Sequence, residues 1–393
     1  MRVAMFSDSY DPIRNGVTTS VQTLSAELRR AGCHVYTVAP RHGGYRERSS
    51  LVLRAPSMRT FLNPSYPITF PWRPGDPRRY GRLRPDVIHS HNPFFIGLLA
   101  ARVAGGLGIP LISTYHTLYD HYCHYVPFLP TGLALGLLRW WLPLHLNAST
   151  HIITPSAVTE RSLRSFGVAR PISVVPTGTS LPDPARIGPE ARRAARERFG
   201  IPESAPFLLY VGRVAREKSV ETALRAFDRI AAELPDARLV LAGGGPYLDE
   251  CRRIAGGLDA RAAITFAGPI EHGELAPIYA AADLFLFAST TETQGLVMAE
   301  ARAAGTPCVI ARGGGASETV RDGEDGLVTA PDAGAMAAAA LGLLRQPERL
   351  AAFAAACLRS APDYTPAAMS RRVLAIYAEA CEEIRRAKGG ARP

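Results

Sequence analysis

The feature that most limits the fold is an alternation. Short apolar runs at 3–6, 34–39, 51–54, 86–90, 110–115, 151–154 and 172–176 are separated by amphipathic stretches such as 17–31 and 95–106. The pattern repeats at 206–211, 238–242, 263–267, 283–287, 307–311 and 326–329, with helical periods at 219–233 and 274–281. Strands that are apolar along their whole length, each followed by a helix, predict parallel sheets covered on both faces. Two such series predict an α/β chain of two Rossmann-like, doubly wound domains, since 393 residues are too many for one core. The stretch from Pro182-Asp-Pro184 to Gly188-Pro189 reads as the linker, giving domains over 1–185 and 186–364. Ligands in such sheets bind beyond the carboxyl ends of the strands, so a cleft between two facing sheets is the expected site.

Charge divides the chain unevenly. Residues 1–186 carry 20 Arg against 9 acidic residues, whereas 187–393 are nearly balanced, so the net charge of +10 belongs to the first half. It concentrates at 41–84, a Pro-, Arg- and aromatic-rich stretch that includes Arg78 and Arg79 and reads as a long mobile excursion. Such a patch faces an anionic partner (membrane lipid, nucleic acid or an acidic substrate) or is a solvated surface in an arginine-favouring chain. Residues 125–146 are apolar, with Trp140 beside Trp141. They form either an interfacial segment with the tryptophans at headgroup depth or a core helix, and Pro127, Pro130 and Pro143 argue against a long straight helix. The six cysteines are scattered without a Cys-x-x-Cys pair, which predicts reduced thiols and no zinc site. The chain enters a strand at Val3, with no signal-like leader, and no run is long enough to span a bilayer.

Four stretches carry chemistry. Ser289-Thr-Thr-Glu-Thr-Gln-Gly-Leu-Val-Met-Ala-Glu300 joins a strand to a helix. The free amides of a helix start there favour a phosphate, while Glu292 and Glu300 suit neutral hydroxyls, and the two together describe a nucleotide-sugar. If the helix starts at Gly295, Glu300 shares a face with the first turn, where Leu296 and Val297 lie. Tyr210-Val-Gly-Arg-Val-Ala-Arg-Glu-Lys218 sets Arg213 and Lys218 beyond a strand end, placed to clamp a diphosphate. Gly244 belongs to a second glycine-rich strand end, Ala242 to Tyr247, and Gly313 to Gly315 form a third that reads as a plain turn. In the first half, Asn15-Gly16 permits a tight turn and a close approach to a ligand. His89, His91 and His116 end apolar strands, and Tyr119 and His121 follow in a run dense in hydrogen-bonding groups. No Asp-x-Asp triplet occurs, which favours neutralising a diphosphate with Arg, Lys and amides over a metal.

Together these residues resemble the retaining glycosyltransferases of family 4, with the two-domain GT-B architecture. The resemblance rests on the Asn-Gly-Val loop at 15–17, His116, the Gly-Arg to Lys element at 212–218 and the two glutamates of 292–300. It implies that Arg213 and Lys218 hold the donor diphosphate and stabilise its developing charge, that Glu300 accepts from the ribose and that Glu292 meets the sugar. Thr293, Gln294 and Gly295 lie beside Glu292, with the amides of Leu296 and Val297, and with Gly212, Gly244 and Pro269, around the donor. Gly16 admits the diphosphate, His116 lies near the anomeric centre, and no metal or other cofactor is required. The final helix, 365–393, returns to the first domain.

The runs NGVTTSV, TYHTLYDHYCHYV and TETQGLVMAEA look most like bacterial diacylglycerol glucosyltransferases. The expectation is therefore UDP-glucose as donor, a lipid acceptor, peripheral binding to an anionic membrane surface at the cytoplasmic face, and no nucleic acid. Tyr119, His121, Arg78, Arg79, Trp140 and Trp141 are the acceptor and membrane candidates. GDP-mannose-dependent lipid mannosyltransferases share the Asn-Gly-Val loop, and a sugar-nucleotide 2-epimerase shares the architecture. A Rossmann oxidoreductase would need G-x-G-x-x-G followed by an acid, which neither half has, and a non-catalytic nucleic-acid-binding protein could use the Arg patch.

Overall fold

A computed structural model describes residues 1–13, 15–59, 66–72, 76–120 and 129–389. The chain divides into two compact units, Met1–Gly178 with Pro366–Pro393, and Thr179–Thr365.

The first unit is built on seven parallel strands: β1 (Arg2–Phe6), β2 (His34–Pro40), β3 (Val52–Ala55), β6 (Val87–Ser90), β7 (Leu111–Thr114), β8 (His151–Thr154) and β9 (Ile172–Val174). A two-residue hairpin, β4 (Ser57–Met58) with β5 (Ile68–Thr69), stands apart from the sheet. Sheet order is β3-β2-β1-β6-β7-β8-β9, so the chain runs outward one way, returns to the middle and runs out the other way. The reversal lies between β1 and β6, where Phe6 pairs with Ser90.

Helix Gly16–Arg30 covers one face of the sheet with Val21, Leu24 and Leu28. Helix Pro366–Gly389 packs into the same cluster with Val373, Ile376 and Tyr377, so the end of the chain completes the first core. Helix Phe95–Leu107 covers the other face, and Tyr80 meets Phe6 edge-on at 5.5 Å.

The second unit carries β10 (Phe207–Val211), β11 (Arg238–Ala242), β12 (Ile264–Gly268), β13 (Leu284–Phe287), β14 (Cys308–Ala311) and β15 (Gly326–Thr329). Its order is β12-β11-β10-β13-β14-β15, all parallel, with the reversal between β10 and β13. β10 is buried at every position, as a central parallel strand must be. Behind the helix Leu296–Ala303, the buried Arg302 guanidinium binds the Asp325 carboxylate, the Ser360 hydroxyl and the Thr319 carbonyl. A charge so deeply buried persists because an opposite charge and two further acceptors meet its terminal nitrogens, while its Nε is left without a partner among the described residues.

Three expectations change. Residues 182–189 are not a linker: Thr179 N–H already donates to Tyr364 O at 2.7 Å, and Asp183 caps the turn Pro184–Arg186. Nor is 41–84 one long excursion. β3 pairs with β2, and the Arg54 guanidinium is spent inside the unit, on Glu47 at 2.6 Å and on the carbonyls of Pro40 and Asp11. Finally, the prolines do not prevent a helix at Thr131–Leu146. Pro130 precedes it, and Pro143 falls in its last turn, so the one bond it removes, to the Arg139 carbonyl, lies near the helix end. That helix buries Ala134, Leu138 and Leu142 and leaves Leu133, Leu137, Trp140 and Leu144 exposed. No helix among the described residues is long and apolar enough to cross a membrane.

Candidate active site

In each unit the reversal of strand order leaves a crevice at the carboxyl ends, and each crevice collects the polar residues of its unit. In the second unit β10 runs into Gly212 and Arg213. A single 3-10 turn, Arg216–Lys218, then leads through Ser219, at φ 49°, into helix Val220–Glu233. From the facing strand β13 the chain passes through Ser289 and Thr291. Both side-chain hydroxyls donate to the Glu217 carbonyl, at 3.5 and 3.1 Å. These bonds seat the two loops side by side, and Lys218 Nζ donates to Glu292 Oε1 at 2.6 Å. Both side chains are mostly shielded from solvent. The sequence reading gave Lys218 and Glu292 separate duties; they are partners.

Glycine is favoured here by conformation: Gly295 has a φ of 84°, which suits a residue without a side chain. Gly295 thus caps helix Leu296–Ala303 and leaves its first amides facing the crevice. The Gly313–Gly315 loop, read from sequence as a plain turn, supports Glu292: Gly315 N–H donates to Glu292 O at 2.6 Å. A Cβ on Gly314 would lie 2.6 Å from that same oxygen. The loop after β10 is stitched to the one after β11 by Gly212 N–H to Ala242 O and Val214 N–H to Gly244 O, both 3.0 Å. The approach is so close that a Cβ on Gly243 would fall 1.8 Å from Gly212 O. Gly244 faces Pro269, so these two expected donor residues are neighbours.

Glu300 lies one turn into the helix. Its Oε2 accepts from the Tyr279 hydroxyl at 3.0 Å, and His272 Nδ1 is 3.8 Å from Oε1. Burial raises its pKa, while His272 and Tyr279 pull it back toward the ionised form. Tyr279 carried no sequence signal, since it reads as one more apolar residue of its helix. Arg213 differs from Lys218: its guanidinium is 64% exposed and only 3.9 Å from Glu217, which leaves its donors directed at solvent. Gln294 is buried, and its carbonyl accepts from Thr319 Oγ1 at 2.6 Å. Thr293, Leu296 and Val297 are half-buried along the crevice.

The first unit's crevice is built of neutral groups. His89, at the end of β6, bridges Tyr377 Oη at 2.6 Å and Thr114 Oγ1 at 2.7 Å. His91 lies tilted by 32° against His89 with centroids 4.2 Å apart, and it stacks on His116, whose Nε2 is 3.0 Å from its Nδ1. Burial pushes His116 down to about 4 and, with the His116 imidazole, His89 down to about 3; burial and the imidazoles of His89 and His116 also hold His91 well below its ordinary value. All three are therefore uncharged at neutral pH. Asp8, at the end of β1, keeps some solvent contact, yet burial raises it to about 7. Its N–H donates to Asn92 Oδ1 at 3.1 Å, and Tyr119 hydrogen-bonds the Asn92 side chain. Asp8 and Asn92 were not singled out from sequence, although their place at strand ends was the available signal.

Asn15 makes an N-cap rather than a tight turn: its φ is −156° and its Oδ1 accepts from Thr18 N–H at 2.9 Å. Gly16 opens the helix with nothing within 4 Å of a would-be Cβ. Arg78 and Arg79 are exposed, as is Trp140, while Trp141 is half-buried and donates to Pro93 O at 2.9 Å. His121 lies outside the described residues.

Comparison with known proteins places the chain in a family. The family model described as Glycosyltransferase Family 4 matches residues 14–181, and that described as Glycosyl transferases group 1 matches 191–357. The alpha-monoglucosyldiacylglycerol synthase of Streptococcus pneumoniae is 33% identical over 319 residues, covering 80% of this chain and 71% of that protein. The GDP-mannose-dependent alpha-mannosyltransferase of Corynebacterium glutamicum is 31% identical over 337 residues, covering 84% and 76%. Among solved structures, HepE of Anabaena in complex with UDP aligns with a TM-score of 0.76 at 16% identity, over 96% of this chain and all of that one. Two parallel, doubly wound sheets with these relatives make a GT-B-like α/β fold. The chain belongs to glycosyltransferase family 4 and is a nucleotide-sugar-dependent hexosyltransferase.

Proposed function

We propose that the protein transfers glucose from UDP-glucose to a membrane diacylglycerol, with retention, forming an α-glycosidic bond. The observation that carries the reading is the Lys218–Glu292 pair at the β10/β13 reversal, beside the free amides of helix Leu296–Ala303. A charged diphosphate gains from the cation and the amides, and a sugar hydroxyl has the carboxylate as acceptor. In this scheme Arg213 swings onto the diphosphate, and with Lys218 stabilises the charge that grows as the bond to the sugar breaks. Glu292 holds the sugar hydroxyls, with Thr293, Gln294 and Gly295 alongside. The amides of Leu296 and Val297 face the phosphates, and Gly212, Gly244 and Pro269 wall the nucleotide. Glu300, fixed by Tyr279, accepts from the ribose. Gly16 leaves room for the diphosphate, and His116 positions the sugar near its anomeric carbon.

The acceptor attacks from the face the leaving group departs, and no metal is needed. Peripheral attachment to the inner face of the membrane uses Arg78, Arg79 and Trp140, each cation being worth about 1 kcal/mol near an anionic surface. Likeness to the pneumococcal synthase supports glucose and diacylglycerol. The corynebacterial relative supports a second reading, GDP-mannose as donor.

Radiolabelled UDP-glucose with diacylglycerol liposomes is expected to give labelled lipid. Labelled lipid from GDP-mannose alone selects the second reading, and none from any nucleotide-sugar overturns both. Glu292→Gln is expected to lower turnover at least about tenfold, on the order of 1.4 kcal/mol. Unchanged turnover removes Glu292 from the site.

A further inference from the structure

One cavity is not used by the scheme above. On the first unit a trough of about 520 Å³ runs between Trp72, Phe94, Leu98, Tyr119, Leu137 and Trp141. None of its lining residues is charged. Its inner polar atoms are already engaged, the Trp141 indole N–H on Pro93 O at 2.9 Å and Tyr119 on Asn92. A peptide or a sugar laid there would lose water from its own polar groups and find few partners. A hydrocarbon chain has none to satisfy.

The two ends of the trough differ. At the inner end Phe94 meets Tyr119 edge-on at 4.9 Å, and Tyr119 is also part of the polar crevice with Asn92 and Asp8. At the outer end the trough opens onto Leu133, Leu137, Trp140 and Leu144, spaced to form one face of helix Thr131–Leu146 and all exposed, Trp140 by 63%. An occupant must therefore be hydrocarbon for most of its length and carry a hydroxyl at one end.

We infer that this trough holds one acyl chain of the lipid acceptor, drawing it out of the bilayer and leaving its glycerol hydroxyl at the Asp8–Asn92–His116 crevice. The inference rests on the lipid-acceptor reading and adds a site to it. The enzyme then measures chain length as well as headgroup, because a chain too short to fill the trough gives up apolar burial.

The test is photolabelling of the full-length protein on vesicles of phosphatidylglycerol containing a diacylglycerol with a diazirine on one acyl chain. Adducts are expected on Trp72 and on the 129–146 segment, reduced at least about fivefold by excess unlabelled diacylglycerol. Label scattered without competition, or crosslinks to another protein chain seated in the trough, overturns the inference.

Leu137→Asp and Leu98→Trp, which make the trough polar or fill it, are expected to lower the kcat/KM preference for long-chain over short-chain diacylglycerol about tenfold. The rise in Tm given by UDP serves as the control for folding. If both variants keep the wild-type chain-length preference while glucose transfer to diacylglycerol proceeds, the trough is excluded and the activity stands. If competed adducts form in the trough but no diacylglycerol is glucosylated, the proposed acceptor fails and lipid binding in the trough stands.

Discussion

The two crevices sit at the same topological position and are furnished in opposite ways. In the second unit the reversal between β10 and β13 gathers an ion pair, a second carboxylate and an exposed guanidinium. In the first, the reversal between β1 and β6 gathers three imidazoles kept neutral by burial and a carboxyl raised to about 7. The fold supplies an opening at strand ends and leaves the chemistry to the loops. A charged crevice suits an ionic leaving group, and a neutral one suits hydroxyls that must not be charged before they react.

The largest effect that separates the two is expected at Lys218. Lys218→Ala removes the cation and leaves Glu292 without it, so turnover should fall about 100- to 1000-fold, roughly 2.7–4 kcal/mol. A loss below threefold, measured at saturating donor, would make the pair a structural strut and erase the contrast. Gly314→Ala comes next. The residue has φ 56°, and the new methyl would press on the Glu292 carbonyl, so a loss of about 1–3 kcal/mol in stability is expected, with weakened donor binding. Denaturant unfolding and a UDP-sugar titration read the two parts separately.

Acid should divide the units. The folded imidazoles have pKa values below the free value of about 6.5, so the unfolded chain binds more protons as pH falls from 6.5 toward 4 and stability is lost over that window. Asp8 works the other way: protonated when folded and ionised when unfolded, it favours the fold increasingly as pH falls from about 7. Three imidazoles against one carboxyl leave a net loss of stability as pH falls through that window. Hydrogen exchange should therefore quicken in β6 and β7 before it does in β10 and β13, and His89→Asn should flatten the difference. Equal quickening in both sheets removes the electrostatic distinction.

Gly16→Ala is the smallest and most selective test. With nothing near its Cβ, the variant should gain about 0.4–1 kcal/mol in stability and lose donor affinity. Retained affinity would take Gly16 out of the donor's reach.

Sequence periodicity revealed nearly every sheet strand, because strands such as Phe207–Val211 are buried on both faces and hence apolar throughout. The β4–β5 hairpin was invisible, since two-residue strands have no period. The strand-end motifs were legible as loops, but their partnerships were not. Lys218 meets Glu292 across 74 residues because the sheet order sets β10 beside β13, and His89 meets Tyr377 across 288 because helix Pro366–Gly389 returns to the first unit. Gly313–Gly315 was visible and undervalued: a glycine cluster announces close backbone approach without naming what approaches.

The return of helix Pro366–Gly389 to the first core has a consequence for synthesis. Residues Met369, Val373, Ile376 and Tyr377 emerge from the ribosome after everything else they pack against. The unit begun first must wait, with a bare apolar flank, until the helix that follows the second unit has been made, while the unit begun second already has all its strands. A nonsense codon within the stretch coding for Pro366–Gly389 would thus damage the unit whose strands were made first.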